Sequence, residues 1–222
     1  MIITIGRQLG SGGLEIGRLL AERLNLAFYD KELLTEAARH SGICPECFQQ
    51  VDEQAKRTFG GVGIFGMRFP FVSEGNMSYN SMISGDNLFL LQSETITKLS
   101  ENPQGAVFVG RCADYVLRNR TDIVSIFITA NNDDRVRRLI ERKKCTESEA
   151  HDMMRKIDKQ RAAYYDYYAG RPWGVASSYD ICLNSSLVGI ENSVDAIIDI
   201  LKKNKFPSIQ YTNKEIVSKL TS

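Results

Sequence analysis

Apolar residues along this chain come in short blocks separated by stretches with a helical period. Ile2, Ile3 and Ile5 form the first block. After a glycine run the spacing changes, and Ile16, Leu19, Leu20 and Leu24 recur on one face of a helix. Residues 26–30, LAFYD, read as a second short strand ending on a carboxylate, and 31–40 as a helix with Leu33, Leu34, Ala37 and Ala38 inward. Asp86 is placed to cap a helix through Leu88, Phe89, Gln92, Ile96 and Leu99. Ala106 to Val109 is a continuous apolar run, as expected of a strand covered on both faces, and residues 123–130 form another. The pattern then predicts a helix around 133–144 and a longer one opened by the capping box Thr146-x-x-Glu149, running to about Tyr168 before Gly170. A last strand falls over 179–184, and Val194, Ile197, Ile198 and Leu201 mark a final helix. Strands alternating with helices predict an α/β fold built on a parallel sheet with right-handed crossovers.

Periodicity disappears between about 54 and 85, where Gly60, Gly61, Gly63, Gly66 and Gly75 interleave with Phe59, Phe65, Phe69, Phe71 and Tyr79. So long a loop inside a compact domain is usually functional, which suggests a flap or insertion near a substrate site, or a dimer contact. The 222 residues suit one α/β domain with a substantial core. Hydrophobic and charged fractions of 43% and 25% are those of an ordinary soluble globule. A net charge of +1 implies no general affinity for polyanions, so nucleic acid is not an expected partner and any basic site must be local. No run approaches the ~18 apolar residues of a membrane span, and the glycines and charges near the start are unlike a signal peptide. Five cysteines, an odd number, favour reduced thiols and a cytoplasmic setting. Cys44 and Cys47 form a CxxC, but no second pair or nearby histidine completes a metal set.

Candidate chemistry begins in the glycine loop, where Gly6, Gly10, Gly12 and Gly13 lie between the first apolar block and the first helical period. Strand, glycine loop, helix is the arrangement that turns backbone N–H groups and a helix N-terminus toward an anion, usually phosphate. The Walker A pattern GxxxxGK[ST] is not met, because Gly13 and Leu14 stand where its lysine and hydroxyl residue belong. A phosphate here would be met by backbone amides, by Ser11 and by Arg7, the nearest cation. A dinucleotide-binding turn, GxGxxG from Gly10, has Glu15 in place of its third glycine, although Asp30 lies near the distance at which a carboxylate holds a ribose. A βα turn with no ligand is the remaining reading.

Arginine marks two further places. Arg111 directly follows the strand over 106–109, and ligands in open α/β sheets gather outside the carboxyl ends of strands. Arg155, Asp158 and Arg161 lie three apart on one long helix, while Arg135, Arg137, Arg138, Arg142, Lys143 and Lys144 crowd the helix before it. The planar guanidinium fork suits charge spread over phosphoryl oxygens, so these helices fit a lid over a phosphate chain. They equally fit a solvated face with i,i+4 pairs worth ~0.3 kcal/mol each.

The segments IGRQLGSGG, FYDKELL, VGRCADYVL, IDKQRAAYYDYY with the W-G after it, and YDICLNSS occur in this order. In that order and spacing the chain resembles the cytidylate kinases, and more closely the cytidylate kinase-like family of P-loop proteins, over about residues 2–203. The resemblance implies a P-loop NTPase-like parallel sheet flanked by helices, with a helical lid and an irregular Gly/aromatic-rich insertion. It implies one kinase-like domain over 1–206, with a flap at about 54–85, a lid at about 133–170, and a tail over 207–222. The activity implied is ATP-dependent phosphoryl transfer, with Mg²⁺, to a nucleoside monophosphate such as CMP or dCMP. Carried over by position, Gly10, Ser11, Gly12 and Gly13 cradle the donor phosphates. Arg111 handles the acceptor side, with Cys112 replacing the aspartate of the family's Gly-Arg-Asp element. Arg155 and Arg161 meet phosphate, Asp158 helps hold the nucleotide, and Asp30 matches an acidic position at the second strand end.

The departures at Gly13 and Leu14 remove a cation on the transferred phosphoryl and a Mg²⁺ ligand, and Arg7 or a lid arginine is the candidate replacement. A nucleotide-binding sensor or scaffold on a degenerate kinase fold is the chief alternative. A dinucleotide-dependent enzyme using Gly10, Gly12 and Asp30, or an interaction protein built on the aromatic segment, follow. The expected partners are a nucleotide donor and a small acceptor, with no nucleic acid or membrane, and self-association is left open.

Overall fold

A computed structural model of the protein describes residues 1–30 and 85–204. The chain divides into two units, Met1–Lys31 with Leu99–Ser222, and Glu32–Lys98. The helix expected at 31–40, the Cys44/Cys47 pair, the segment 54–84 and the tail beyond Phe206 lie outside the described residues.

The first unit is built on a five-stranded sheet in which every pairing is parallel. Its strands are β1 (Ile2–Arg7), β2 (Ala27–Tyr29), β3 (Ala106–Val109), β4 (Ile123–Thr129) and β5 (Ile181–Asn184), in the order β2-β3-β1-β4-β5. β1 lies at the centre, with Ile5 in register with Val109 on one side and Ile126 on the other. The described helices are α1 (Gly13–Arg23), α2 (Gly85–Leu99), α3 (Ala113–Val116), α4 (Asn132–Lys143), α5 (Glu147–Ala169), α6 (Ser185–Val188) and α7 (Ile190–Asn204). None of them is long and apolar enough to cross a membrane.

The apolar blocks of the sequence become the sheet because both of its faces are covered. Ile3, Ile5, Val107, Val109, Val124, Ile126 and Ile128 pack in one cluster with Ile16, Leu20, Ala21 and Leu24 of α1 and Val194, Ile197, Ile198 and Leu201 of α7. Each fully buried aliphatic side chain of this kind contributes ~2 kcal/mol, which fixes the register of α1 and so the exit of the glycine loop before it. Arg23 ties the same two helices together, donating to Glu191 and to Asp195 at 2.5 Å each. A smaller cluster, Val136, Leu139, Ala150 and Met154 with Leu9 against it, packs α4 onto α5 and both onto the loop.

The element boundaries follow the sequence signals closely. Glu149 N donates to Thr146 Oγ1 at 3.3 Å while Thr146 N donates to Glu149 Oε2 at 2.8 Å, which is the expected capping box, and Gly170 closes α5 at φ 62°. α2, in the second unit, begins at Gly85, so Asp86 lies inside it and not at its cap. Such two-residue displacement is ordinary at helix ends, where the first amides have no intrahelical partner. Substituting Thr146→Ala removes one acceptor of the capping box and is expected to lower stability by ~1 kcal/mol, read as a shift in the urea unfolding midpoint at unchanged m-value.

Candidate functional site

The glycine loop links β1 to α1, and Gly10 and Gly12 take left-handed conformations with φ 78° and 79°. Its carbonyl side is fully engaged. Leu9 O accepts from Arg135 Nε at 2.7 Å, Gly10 O from Arg138 Nη1 at 3.2 Å, and Ser11 O from Ser185 Oγ at 2.6 Å. Leu9 N donates to Asp158 Oδ1 at 2.8 Å, and Arg135 bonds the other oxygen of the same carboxylate. With the carbonyls held by α4 and α6, the opposite side of the loop is left to its amides. Among the described residues the N–H groups of Gly10, Gly12, Leu14 and Glu15 have no acceptor. They lie at the positive end of α1, the usual arrangement for an anion. Ser11 is fully buried and its Oγ accepts from Gly13 N at 3.4 Å, so its hydroxyl braces the loop from within.

Arg7, the last residue of β1, explains two glycines. A Cβ added at Gly13 would lie 2.6 Å from Arg7 Cβ and 3.2 Å from its Cγ. A Cβ added at Gly110 would lie 1.9 Å from Arg7 Nη1. The side chain therefore runs from the loop to the carboxyl end of β3, and its stem occupies the space from which a lysine at position 13 would start. Burial, then the neighbouring charges of Arg161 and Arg111, push the Arg7 guanidinium well below its ordinary range, while Asp30 and Asp158 act in the opposite sense. Arg161 donates through Nη1 to Arg7 O at 2.9 Å and sits 3.7 Å from Asp158 Oδ1. Burial also lowers the Arg111 and Arg161 values, in each case as the largest cause. These half-buried guanidinium groups oppose one another's charge, and an anion among them would relieve that repulsion.

Arg111 is held in an unusual turn. Gly110, Arg111 and Cys112 all have positive φ, at 83°, 63° and 53°. For the two residues with a Cβ the left-handed conformation costs ~1–2 kcal/mol each, and such strain persists only where surrounding contacts hold it. The contacts come from α5: Tyr164 lies close enough to raise the Arg111 value against the effect of burial, and Tyr165 Oη donates to Asp114 Oδ2 at 2.5 Å. Arg171 Nη2 donates to the same Asp114 oxygen at 3.3 Å. The Cys112 thiol is buried and pushed up to about 12, first by burial and then by Asp114, which makes it a passive packing group.

The structure thus brings Arg7, Arg111, Arg161, Asp158 and the loop residues Gly10, Ser11, Gly12 and Gly13 together, with Asp30 close enough to influence Arg7. It does not bring Arg155. That side chain is 73% exposed and pairs with Asp152 one turn away, a solvated pair of little energetic weight. Asp158, expected beside the nucleotide, has both carboxylate oxygens committed to the loop and α4. The basic crowd on α4 divides likewise: Arg135 and Arg138 hold loop carbonyls, Arg137 pairs with Asp134, and Arg142 is exposed. Sequence reasoning missed Tyr164, Tyr165, Asp114 and Ser185. Tyr164 lies three residues beyond Arg161 and was within reach of the same helical stripe, whereas Ser185 carries no local signal.

A profile of the cytidylate kinase-like family matches residues 2–187. The chain belongs to the cytidylate kinase-like family. An uncharacterized protein from Eubacterium ventriosum ATCC 27560 is 29% identical, with a TM-score of 0.66 over 92% of this chain and 99% of that one. Shikimate kinase from Bacteroides thetaiotaomicron is 18% identical, with a TM-score of 0.52 over 91% of this chain and 98% of that one. Shikimate kinase from Acinetobacter baumannii in complex with shikimate is 15% identical, with a TM-score of 0.50 over 92% and 94% of the two chains. At these last two identities the likeness concerns the fold alone. No curated protein matches the chain. In this cytidylate kinase-like chain the glycine at position 13 follows from its neighbour. Gly13→Lys is expected to lower stability by ~1–3 kcal/mol in denaturant unfolding, because Arg7 Cβ must be displaced before a lysine can enter.

Proposed function

We propose that this cytidylate kinase-like protein is a phosphotransferase that moves the γ-phosphoryl group of ATP to a small phosphorylated acceptor, with CMP and dCMP the first to test. One observation carries the reading: the half-buried Arg7, Arg111 and Arg161 act on one another at the carboxyl ends of β1 and β3, beside a loop in which the amides of Gly10, Gly12, Leu14 and Glu15 have no acceptor among the described residues. In the proposed mechanism the amides of Gly10, Gly12, Leu14 and Glu15 receive the donor phosphates. Arg7 supplies the cation that a lysine at position 13 gives in other P-loop proteins, from the same start of the corridor but from the strand side. Arg111, at the end of β3, receives the acceptor phosphate. Arg161 spans the two and neutralises charge that builds up in the transition state. An acceptor that is itself a phosphate oxygen needs no general base.

The residues present do not fit a Mg²⁺ held by the protein. Among the described residues no three His, Cys, Asp or Glu gather to hold a metal ion, Leu14 offers no oxygen, and the Ser11 hydroxyl is buried against Gly13 N. Mg²⁺ enters this reading only as the companion of the ATP phosphates, and no step is assigned to it. The absence of a lysine and a hydroxyl at positions 13 and 14 favours a second reading, a nucleotide-binding sensor that does not transfer phosphate.

A coupled assay with MgATP against CMP, dCMP, UMP and AMP, paired with calorimetric titration of ATP, separates the two. Turnover with at least one acceptor is expected, and Arg7→Ala is expected to lower kcat by about 10²–10³ at unchanged helical content. ATP binding without turnover would favour the sensor, and neither binding nor turnover would remove both.

A further inference from the structure

α5 presents Asp158, Arg161, Tyr164 and Tyr165 at i, i+3, i+6 and i+7, one stripe along its length. The stripe meets three separate pieces of chain. Asp158 holds Leu9 N at 2.8 Å, Arg161 holds Arg7 O at 2.9 Å, Tyr165 holds the β3 turn through Asp114 at 2.5 Å, and Tyr164 lies near enough to Arg111 to act on its charge. The donor side of the site therefore rests on Asp158 and Arg135, and the acceptor side on the tyrosine pair. Asp114 is nearly buried, with 11% of its side chain exposed, and is not among the groups whose charge acts on Arg111. Its reach to the site is indirect. It accepts the Tyr165 hydroxyl and the Arg171 guanidinium on one oxygen, which docks α5 against α3 directly after the three left-handed residues.

We propose that Asp114 is a positioning residue for Arg111, acting through the Tyr165 hydroxyl to hold the 110–112 turn in its left-handed form with Tyr164 on the guanidinium. The inference rests on the phosphotransfer reading for its kinetic consequence but not for its conformational one. Cys112 supplies the second readout: it lies inside the turn, 4% exposed, with a thiol pushed up to about 12. A relaxed turn exposes that thiol and lets it ionise more readily.

The test compares wild type with Tyr165→Phe, Asp114→Ala and Asp114→Asn in the full-length protein. Tyr165→Phe deletes a single hydroxyl and keeps the ring stacked on Tyr179, with centroids 6.0 Å apart, so it is expected to fold. Asp114→Asn keeps an acceptor oxygen for Tyr165. In Tyr165→Phe and Asp114→Ala the KM for the acceptor nucleotide is expected to rise about tenfold or more with the KM for ATP within twofold. Iodoacetamide labelling at Cys112, followed by peptide mass spectrometry, is expected to quicken about tenfold. Asp114→Asn is expected to stay within about threefold of wild type in both measurements. An unchanged acceptor KM in Tyr165→Phe, or equal losses on the ATP and acceptor sides, would overturn the proposal. If wild type turns over no acceptor, the phosphotransfer reading fails by itself and the labelling arm decides. Faster labelling in Tyr165→Phe with rescue in Asp114→Asn supports the positioning role, and unchanged labelling overturns it.

Discussion

The site depends on one half-buried side chain, the arginine that ends the central strand. Arg7 is enclosed on the loop side by Gly13 and on the β3 side by Gly110, and any larger residue at either place would collide with it. A guanidinium removed from water is costly unless its hydrogen bonds and charge find partners. Here the nearest charges include two more arginines as well as Asp30 and Asp158, so the balance inside the protein is incomplete. Among structural ion pairs an excess of like charge would be a liability. Beside a loop with four amides unpaired among the described residues it is the charge distribution that the proposed phosphate site requires, with its cations already assembled.

Holding that arrangement falls to α5. A single helix, opened by a capping box and closed by a left-handed glycine, touches the glycine loop, the β1 carboxyl end and the β3 turn through successive turns of one face. Its other face behaves as solvated helices do, with Arg155 paired to Asp152 at the surface. The same division runs through α4, where Arg135 and Arg138 close off the loop carbonyls and Arg137 faces outward. The basic region is thus partly a scaffold for the loop, partly the proposed phosphate site and partly a wet surface. The chain shares its plan of strands and helices with the cytidylate kinase-like family, and Arg7 lies at the end of the central strand of that plan.

Much of the fold was legible because its signals are local. Apolar runs of fixed length marked the buried strands, the 3.6-residue period marked α1 and α7, and Thr146, Glu149 and Gly170 set the limits of α5. These depend on nearest neighbours along the chain, where sequence distance and spatial distance agree. Asp86 shows the limit of such reading, since a polar residue near a helix start is compatible with more than one first turn.

What sequence alone determined, then, is the alternation of strand and helix, the glycine loop at the first turn, and the presence of arginines at the right elements. Which arginines reach the loop was decided only by the tertiary fold. Arg155 and Arg161 belong to the same motif and the same helix, yet six residues of helical rotation send one to solvent and the other to Arg7 O. Arg7 was already a candidate in the sequence for the missing lysine, but the path of its side chain was set by the fold. That path depends on the gap between Gly13 and Gly110, residues that parallel pairing of β1 with β3 brings together across nearly half the chain. Backbone geometry sets the width of that gap, and no local pattern records it.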